Sequence, residues 1–198
     1  GVSVIDFIFQ LEAMPGKNEK FRAENASISG GGIAANAAVA ISKLGGSCTL
    51  VSRLGNDEIG SMIKSDLIKD GVEVSFTRQF DNHKSSFSSV YIDKKGERQV
   101  VNYRDTKLPA DPSWINQIEK HDAYLADTRW KEGAIETLKI AKNFQCPGVL
   151  DAEETVSIEA IQTASHIAFS LHGLENFTKQ KDIKTALKEI ANITKSWV

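Results

Sequence analysis

With 198 residues, 41% of them hydrophobic and 25% charged, the chain is long enough to bury a core of ordinary domain size. A formal net charge of −2 argues against nucleic acid as the main partner, because phosphate neutralisation needs a basic excess. No apolar run approaches the roughly 18 residues of a membrane-spanning helix and no signal-peptide pattern is present, so no membrane partner is expected. Cys48 and Cys146 lie far apart without metal-ligand spacing, which predicts two buried free thiols and a reducing, cytoplasmic setting.

The chain opens on Val4-Ile5, the tail of a strand, with Asp6 at its carboxyl end. Phe7-Ile8-Phe9-Gln10-Leu11 and the polar run ending at Ser29 alternate like half-exposed strands. Gly30-Gly31-Gly32 then runs into a helical stripe of Ala37, Ala38, Ala40, Ile41 and Leu44, which Gly45 and Gly46 close. Cys48-Thr49-Leu50-Val51 reads as a buried strand, and Ile59, Met62, Ile63 and Leu67 as a helix ended by Gly71. The stretch Ser85 to Ile92 is another half-exposed strand, turning at Asp93-Lys94-Lys95-Gly96-Glu97 into Arg98 to Tyr103 as a hairpin. Asp111-Pro112 is a helix start. Ala123-Tyr124-Leu125-Ala126 is a strand, followed by a helix carrying Ala134, Ile135, Leu138 and Ala141. Gly148-Val149-Leu150 and Ile167-Ala168-Phe169 are short strands, and Ile183 to Ile190 a last helix. Strands alternating with helices predict an α/β fold with a mostly parallel sheet and right-handed crossovers. Both chain ends read as cuts through strands, so a fragment of a longer protein is expected.

A glycine turn that opens a helix lets a ligand approach bare backbone and its outward N–H groups. Gly30-x-Gly32-x-x-Ala35 fits the relaxed dinucleotide fingerprint, but the preceding residues are polar and no acid waits near Ser52-Arg53 for a ribose. Asp6, at a strand's carboxyl end, is placed to accept hydrogen bonds from two neighbouring hydroxyls, or to cap a turn. His83, His121, His166 and His172 show no acid or cysteine at metal or triad spacing. Asp151 and Glu153 follow another strand, where they suit water-mediated magnesium binding or helix capping.

The spacing of Gly31-Gly32, Ala34, Asn36, Ala38, Gly45 and Gly55 resembles the first signature of the PfkB (ribokinase-like) carbohydrate kinases. Leu54-Gly55-Asn56-Asp57-Glu58-Ile59-Gly60 resembles that family's next landmark and Gly71-Val72 its close to the following helix. The resemblance implies a three-layer α/β/α fold with a small antiparallel β lid over the sugar, and an ATP- and Mg2+-dependent sugar kinase. It assigns residues 7–28 and 85–103 to the lid of one truncated domain, the core coming from the remainder. It also implies a homodimer through the lid. Asp6, Gly31, Gly32 and Asn36 match the family's sugar-binding positions. The family's Asp-Thr-x-Gly-Ala-Gly-Asp motif, with the catalytic base and anion hole, would follow Val198, as would most of the ATP pocket. No turnover is therefore expected from the 198 residues alone. The family's usual Asn-x-x-Glu is replaced here by Ser170-Leu171-His172-Gly173, which leaves the metal ligands unassigned.

Within the family, Lys84-Ser85-Ser86-Phe87-Ser88, the hairpin Asp93 to Tyr103, Leu125-Ala126-Asp127-Thr128-Arg129-Trp130 and Leu150-Asp151 resemble the 6-deoxy-6-sulfofructose kinases. In those enzymes a Lys, an Asn and an Arg hold the sulfonate, and the matching positions are Lys20, Asn102 and Arg129. A sulfonate is a permanent monoanion with three acceptor oxygens, which suits a planar fork, a point charge and a neutral donor. A phosphate on the same carbon would suit them too. The alternatives are a fructokinase, ketohexokinase, sugar-phosphate or nucleoside kinase of the same family, or a non-catalytic sugar-binding module. Arg129-Trp130 is also open to a reading as a sugar platform, against the commoner fate of Trp in a core.

Overall fold

A computed structural model describes residues 1–16 and 18–198. Backbone contacts gather them into two compact units, Ser3–Pro109 and Ala110–Val198 with Gly1–Val2.

In the Ser3–Pro109 unit, β1 (Val4–Gln10) pairs antiparallel with β2 (Asn25–Gly31) and parallel with β5 (Phe87–Ile92), and β5 pairs antiparallel with β6 (Arg98–Tyr103). The four-stranded order is β2-β1-β5-β6. A second, parallel pair joins β3 (Ser52–Gly55) to β4 (Thr77–Phe80). Two helices, α1 (Ile33–Lys43) and α2 (Glu58–Lys69), share a core with Ile5, Leu50 and Leu54, into which α1 sends Ala34, Ala35 and Ala38 and α2 sends Ile63 and Leu67. Small residues on α1 let the helix backbone approach its neighbours closely. Gly45, at φ 88°, and Gly71, at φ 78°, end the two helices in left-handed turns. There the Gly46 N–H bonds Ile41 O and the Val72 N–H bonds Leu67 O.

Asp57 caps α2. Its Oδ1 accepts from the Gly60 N–H and from Ser85 Oγ, and its Oδ2 accepts from the Ser85 N–H. Burial works against the Asp57 charge, but these bonds from Ser85 and Gly60 prevail and hold its carboxyl below the usual range.

The other unit is a parallel three-stranded sheet of β7 (Tyr124–Asp127), β8 (Gly148–Ala152) and β9 (His166–Phe169). It carries α3 (Lys131–Asn143), α4 (Ile158–Thr163), α5 (Leu171–Thr178) and α6 (Ile183–Ile193). Leu138, Leu150, Ile161 and Ile190 are completely buried here. Trp130 is 3% exposed, donates its Nε1–H to Ala110 O and stacks on Trp114 at 5.2 Å, so it belongs to the core and is no sugar platform. No helix of the described residues is long and apolar enough to cross a membrane.

Several expectations change. The regular strand after α1 runs over Ser52–Gly55, while Cys48–Leu50 makes only a single bridge, Thr49 to Glu73, because its partner there is the loop leaving α2. Cys48 and Cys146 are free but half-buried rather than buried, and partial burial pushes the Cys48 thiol up. Asp111 accepts from the Ser113 N–H and hydroxyl, and a 3-10 turn over Ser113–Gln117 replaces an α-helix. Two histidines do meet acids: His83 Nδ1 lies 3.0 Å from Asp105 Oδ2, and His172 Nε2 lies 2.8 Å from Glu154 Oε1. Backbone N–H groups of Lys107 and Lys84, with His83, hold Asp105 below the usual carboxylate range.

Candidate functional site

Asp6 stands inside β1 rather than at a strand end. Pairing continues on both sides to Gln10, so the two apolar runs flanking Asp6 are one strand. Alternation along that strand sends Ile5 and Phe7 to the side packed by the helices and Asp6 to the opposite face. Directly registered residues share a face, and the register opposes Asp6 to Ser29 on β2, Asp6 to Ser88 on β5, and Ser88 to Asn102 on β6. One polar row, Ser29-Asp6-Ser88-Asn102, therefore crosses all four strands at spacings of about 4.8 Å. Such a row offers several hydrogen-bonding groups to one polar ligand, with the carboxylate as its strongest acceptor.

The glycine turn makes room for that carboxylate. A Cβ on Gly31 would lie 2.7 Å from Asp6 Oδ2 and 3.0 Å from Val4 Cγ2, distances a real side chain could not occupy without moving them. Gly32, at φ 98°, adopts a backbone that other residues rarely reach and forms the N-cap of α1 without any side-chain bond to it. Asn36 lies exposed in the first turn of α1. It lines a cleft of about 240 Å³ that Gly30, Gly31, Lys43, Asp66 and Asp70 also line. Lys43 and Asp70 form an ion pair there at 3.3 Å. Asp6 is not part of that cleft's wall, but Ser29 of the polar row and Gly31 beside the Asp6 carboxylate both line it.

The three residues matched to an anion site stand as follows. Lys20 is exposed in the segment between β1 and β2. Asn102 donates through Nδ2 to Ser88 Oγ at 3.1 Å and to Phe87 O at 3.2 Å. Both amide hydrogens are thus engaged, which turns Oδ1, an acceptor, away from these partners. Arg129, just after β7, donates through Nη2 to Glu153 Oε2 at 2.6 Å, and its backbone N–H bonds Asp127 Oδ1 at 2.9 Å. Asp127 is 1% exposed and also accepts from the Val2 N–H at 2.7 Å. Asp151, registered beside Asp127, has its carboxyl pushed up by burial and by the charges of Glu153 and Asp127, with Arg129 opposing. Among the described residues no group of three or more His, Cys, Asp or Glu is placed to hold a metal ion.

Ser29, Ser88 and Glu153's pairing with Arg129 were not anticipated. The hairpin held a signal for one of them. Once Ile92 faces Arg98, moving four places away from the turn on each strand puts Ser88 opposite Asn102.

A sequence model described as pfkB family carbohydrate kinase matches residues 1–198. A ribokinase of Dictyostelium discoideum is 30% identical over 101 residues, 51% of this chain and 32% of that protein. Fructokinase-2 of Oryza sativa subsp. japonica is 42% identical over 76 residues, 38% of this chain and 22% of that protein. A crystal structure from Agrobacterium tumefaciens with a provisional ribokinase assignment superposes with a TM-score of 0.82 at 28% identity, covering 96% of this chain and 64% of that one. The ribokinase of Arabidopsis thaliana complexed with ribose and ATP shares the fold at a TM-score of 0.78 and 19% identity, covering 98% of this chain and 67% of that one. The chain thus spans about a third or less of the curated relatives it matches, and its fold is ribokinase-like α/β. With its whole length matched, the chain belongs to the pfkB family of carbohydrate kinases.

Proposed function

We propose that this chain is the sugar-binding part of a kinase that transfers the γ-phosphoryl group of ATP to the C1 hydroxyl of a ketose, with 6-deoxy-6-sulfofructose as the substrate. The observation that carries the sugar reading is the polar row Ser29-Asp6-Ser88-Asn102 with the side-chain-free Gly31 beside the carboxylate. Asp6 would accept hydrogen bonds from sugar hydroxyls, and Gly31, Gly32 and Asn36 would bring the start of α1 close to the ring. Holding the reacting hydroxyl in one orientation is the main contribution these residues make to rate. ATP with Mg2+ would supply the phosphoryl group and its charge neutralisation; since no described cluster fits a metal, no step is assigned to metal ligands of this chain. Lys20, Asn102 and Arg129 would hold the sulfonate, Asn102 after exchanging one of its present bonds for a sulfonate oxygen.

A second reading, a neutral ketose such as fructose, is favoured by the Arg129–Glu153 pair and by the engaged amide of Asn102, both of which suit hydroxyl partners. Fructokinases among the relatives point the same way. Pairing with a second copy is also proposed. On the face of the sheet opposite Asp6, Ile28, Val101 and Tyr103 are 55%, 60% and 41% exposed, an apolar surface a second lid would cover.

A coupled assay of ADP release on the intact protein, across sulfofructose, fructose 6-phosphate, fructose and adenosine, separates these readings. Arg129→Ala is expected to lower kcat/KM for sulfofructose by about 10- to 100-fold, the worth of a charge-assisted hydrogen bond, with fructose changed less than about twofold. Equal losses on both sugars would remove Arg129 from the anionic end.

A further inference from the structure

Arg129 does not stand as a lone cation. Glu153 accepts from its Nη2 at 2.6 Å, and the two side chains are 35% and 36% exposed, so the pair is only partly screened by water. Asp127 bonds the Arg129 backbone, and parallel register sets Asp151 beside Asp127, two residues before Glu153. Glu153 thus holds the guanidinium itself, Asp127 holds the Arg129 backbone, and Asp151 lies near enough for the Arg129 charge to act on it. The next acid along, Glu154, is itself paired with His172. Burial and the charges of Glu153 and Asp127 push the Asp151 carboxyl up, a sign that added negative charge is felt here. The Glu153 backbone is fixed as well: a Cβ on Gly173 would lie 2.4 Å from Glu153 O, so the first turn of α5 seats directly on it.

Sulfonate and phosphate monoester groups are both tetrahedral, with three terminal oxygens. They differ in charge. The sulfonate carries one negative charge at every accessible pH, whereas the phosphate carries about −1.5 to −2 at pH 7, its second pKa being about 6. The phosphate also hangs on a bridging ester oxygen, which sets its terminal oxygens about one bond further from the ring, but only the difference in charge is read by a fixed carboxylate beside the cation.

We propose that Glu153 is a positioning residue that sets the charge limit of the sugar's anionic end: by holding Arg129 and offsetting its charge, it admits a singly charged sulfonate and disfavours a doubly charged phosphate. The inference rests on the assignment of Arg129 to that end of the sugar. Glu153 touches neither the reacting hydroxyl nor the transferred group; it acts through the guanidinium.

Calorimetric titration of the intact protein with 6-deoxy-6-sulfofructose, fructose 6-phosphate and fructose tests this. At pH 7.5 the wild type is expected to bind the sulfonate about tenfold or more tightly than the phosphate. The gap should narrow at pH 5.5, where the phosphate is mainly singly charged. Protonation of Asp151, whose carboxyl is pushed up, relieves the dianion more than the monoanion and so narrows the gap in the same direction as the ligand's own titration, which is why the Glu153 variants are compared at the single pH of 7.5. Glu153→Gln should close the pH 7.5 gap to within about twofold, and Glu153→Asp, which keeps the charge, should largely retain it. An unchanged gap in Glu153→Gln, or a wild-type gap that ignores pH, overturns the proposal, the second whether or not the Gln variant folds. Should fructose bind as tightly as both anionic sugars, Arg129's assignment fails and this inference with it. If the anionic sugars are preferred but Glu153→Gln leaves their ratio intact, only the role of Glu153 fails.

Discussion

Gly31→Ala is expected to weaken sugar binding by about 100-fold while leaving the fold in place. The added methyl would sit 2.7 Å from Asp6 Oδ2 and 3.0 Å from Val4 Cγ2, so either the carboxylate rotates away or the end of β2 shifts. A displacement of about 1 Å in a group that orients the reacting substrate is enough for a loss of that size. The carboxylate is the far end of a short side chain and can turn, which is why stability should fall by only about 1 kcal/mol. Titration with ketose and a thermal melt of the same sample read both quantities. Near-wild-type affinity in a folded Gly31→Ala protein would mean that Asp6's present position does not matter to the sugar.

Gly55→Ala should produce the largest loss of stability, about 3 kcal/mol, or roughly 10 °C in melting temperature for a chain of this size. Here the obstacle is backbone: a Cβ would lie 2.3 Å from His83 O and 2.6 Å from Lys84 Cα. The 81–86 segment is held against the end of β3 because Ser85 Oγ accepts from the Gly55 N–H at 3.0 Å and donates to Asp57 Oδ1 at 2.7 Å. Nothing at that point can rotate aside, so relief requires breaking the Asp57–Ser85 lock. Gly96→Ala provides the comparison. Gly96 has φ +81° with nothing within 4 Å of the added carbon, so its cost is conformational alone, about 1 kcal/mol. Equal melting temperatures for the two variants would show that the close approach at Gly55 carries no energy.

Helices α1, α2 and α3 were legible because their apolar residues recur at helical steps and glycine stops follow the first two. The hairpin was legible from its turn, where Gly96 takes a positive φ and its N–H bonds Asp93 O. Short strands fared less well. Val4-Ile5 and Phe7 to Leu11 read as two pieces because Asp6 interrupts the apolar run, and only pairing with β2 and β5 joins them. The strand expected at Cys48 moved four residues on, since a short apolar run does not say which of its residues finds a partner. In the candidate site, the glycines and Asp6 carried a recognisable spacing, whereas Ser29 and Ser88 are single serines whose meaning comes from register. Arg129 and Glu153 lie 24 residues apart, and His83 and Asp105 lie 22 apart. Such pairs arise from crossovers and loop returns, which local periodicity does not encode.

The sugar reading depends on Asp6 as the acceptor at the centre of the polar row. Calorimetric titration of the intact protein and its Asp6→Ala variant with the ketose preferred in the substrate panel tests it most directly. Saturable binding by the wild type and a loss of about 100-fold or more in a variant that melts normally is the expected result, two charge-assisted hydrogen bonds being removed. Unchanged affinity in the folded variant would contradict it.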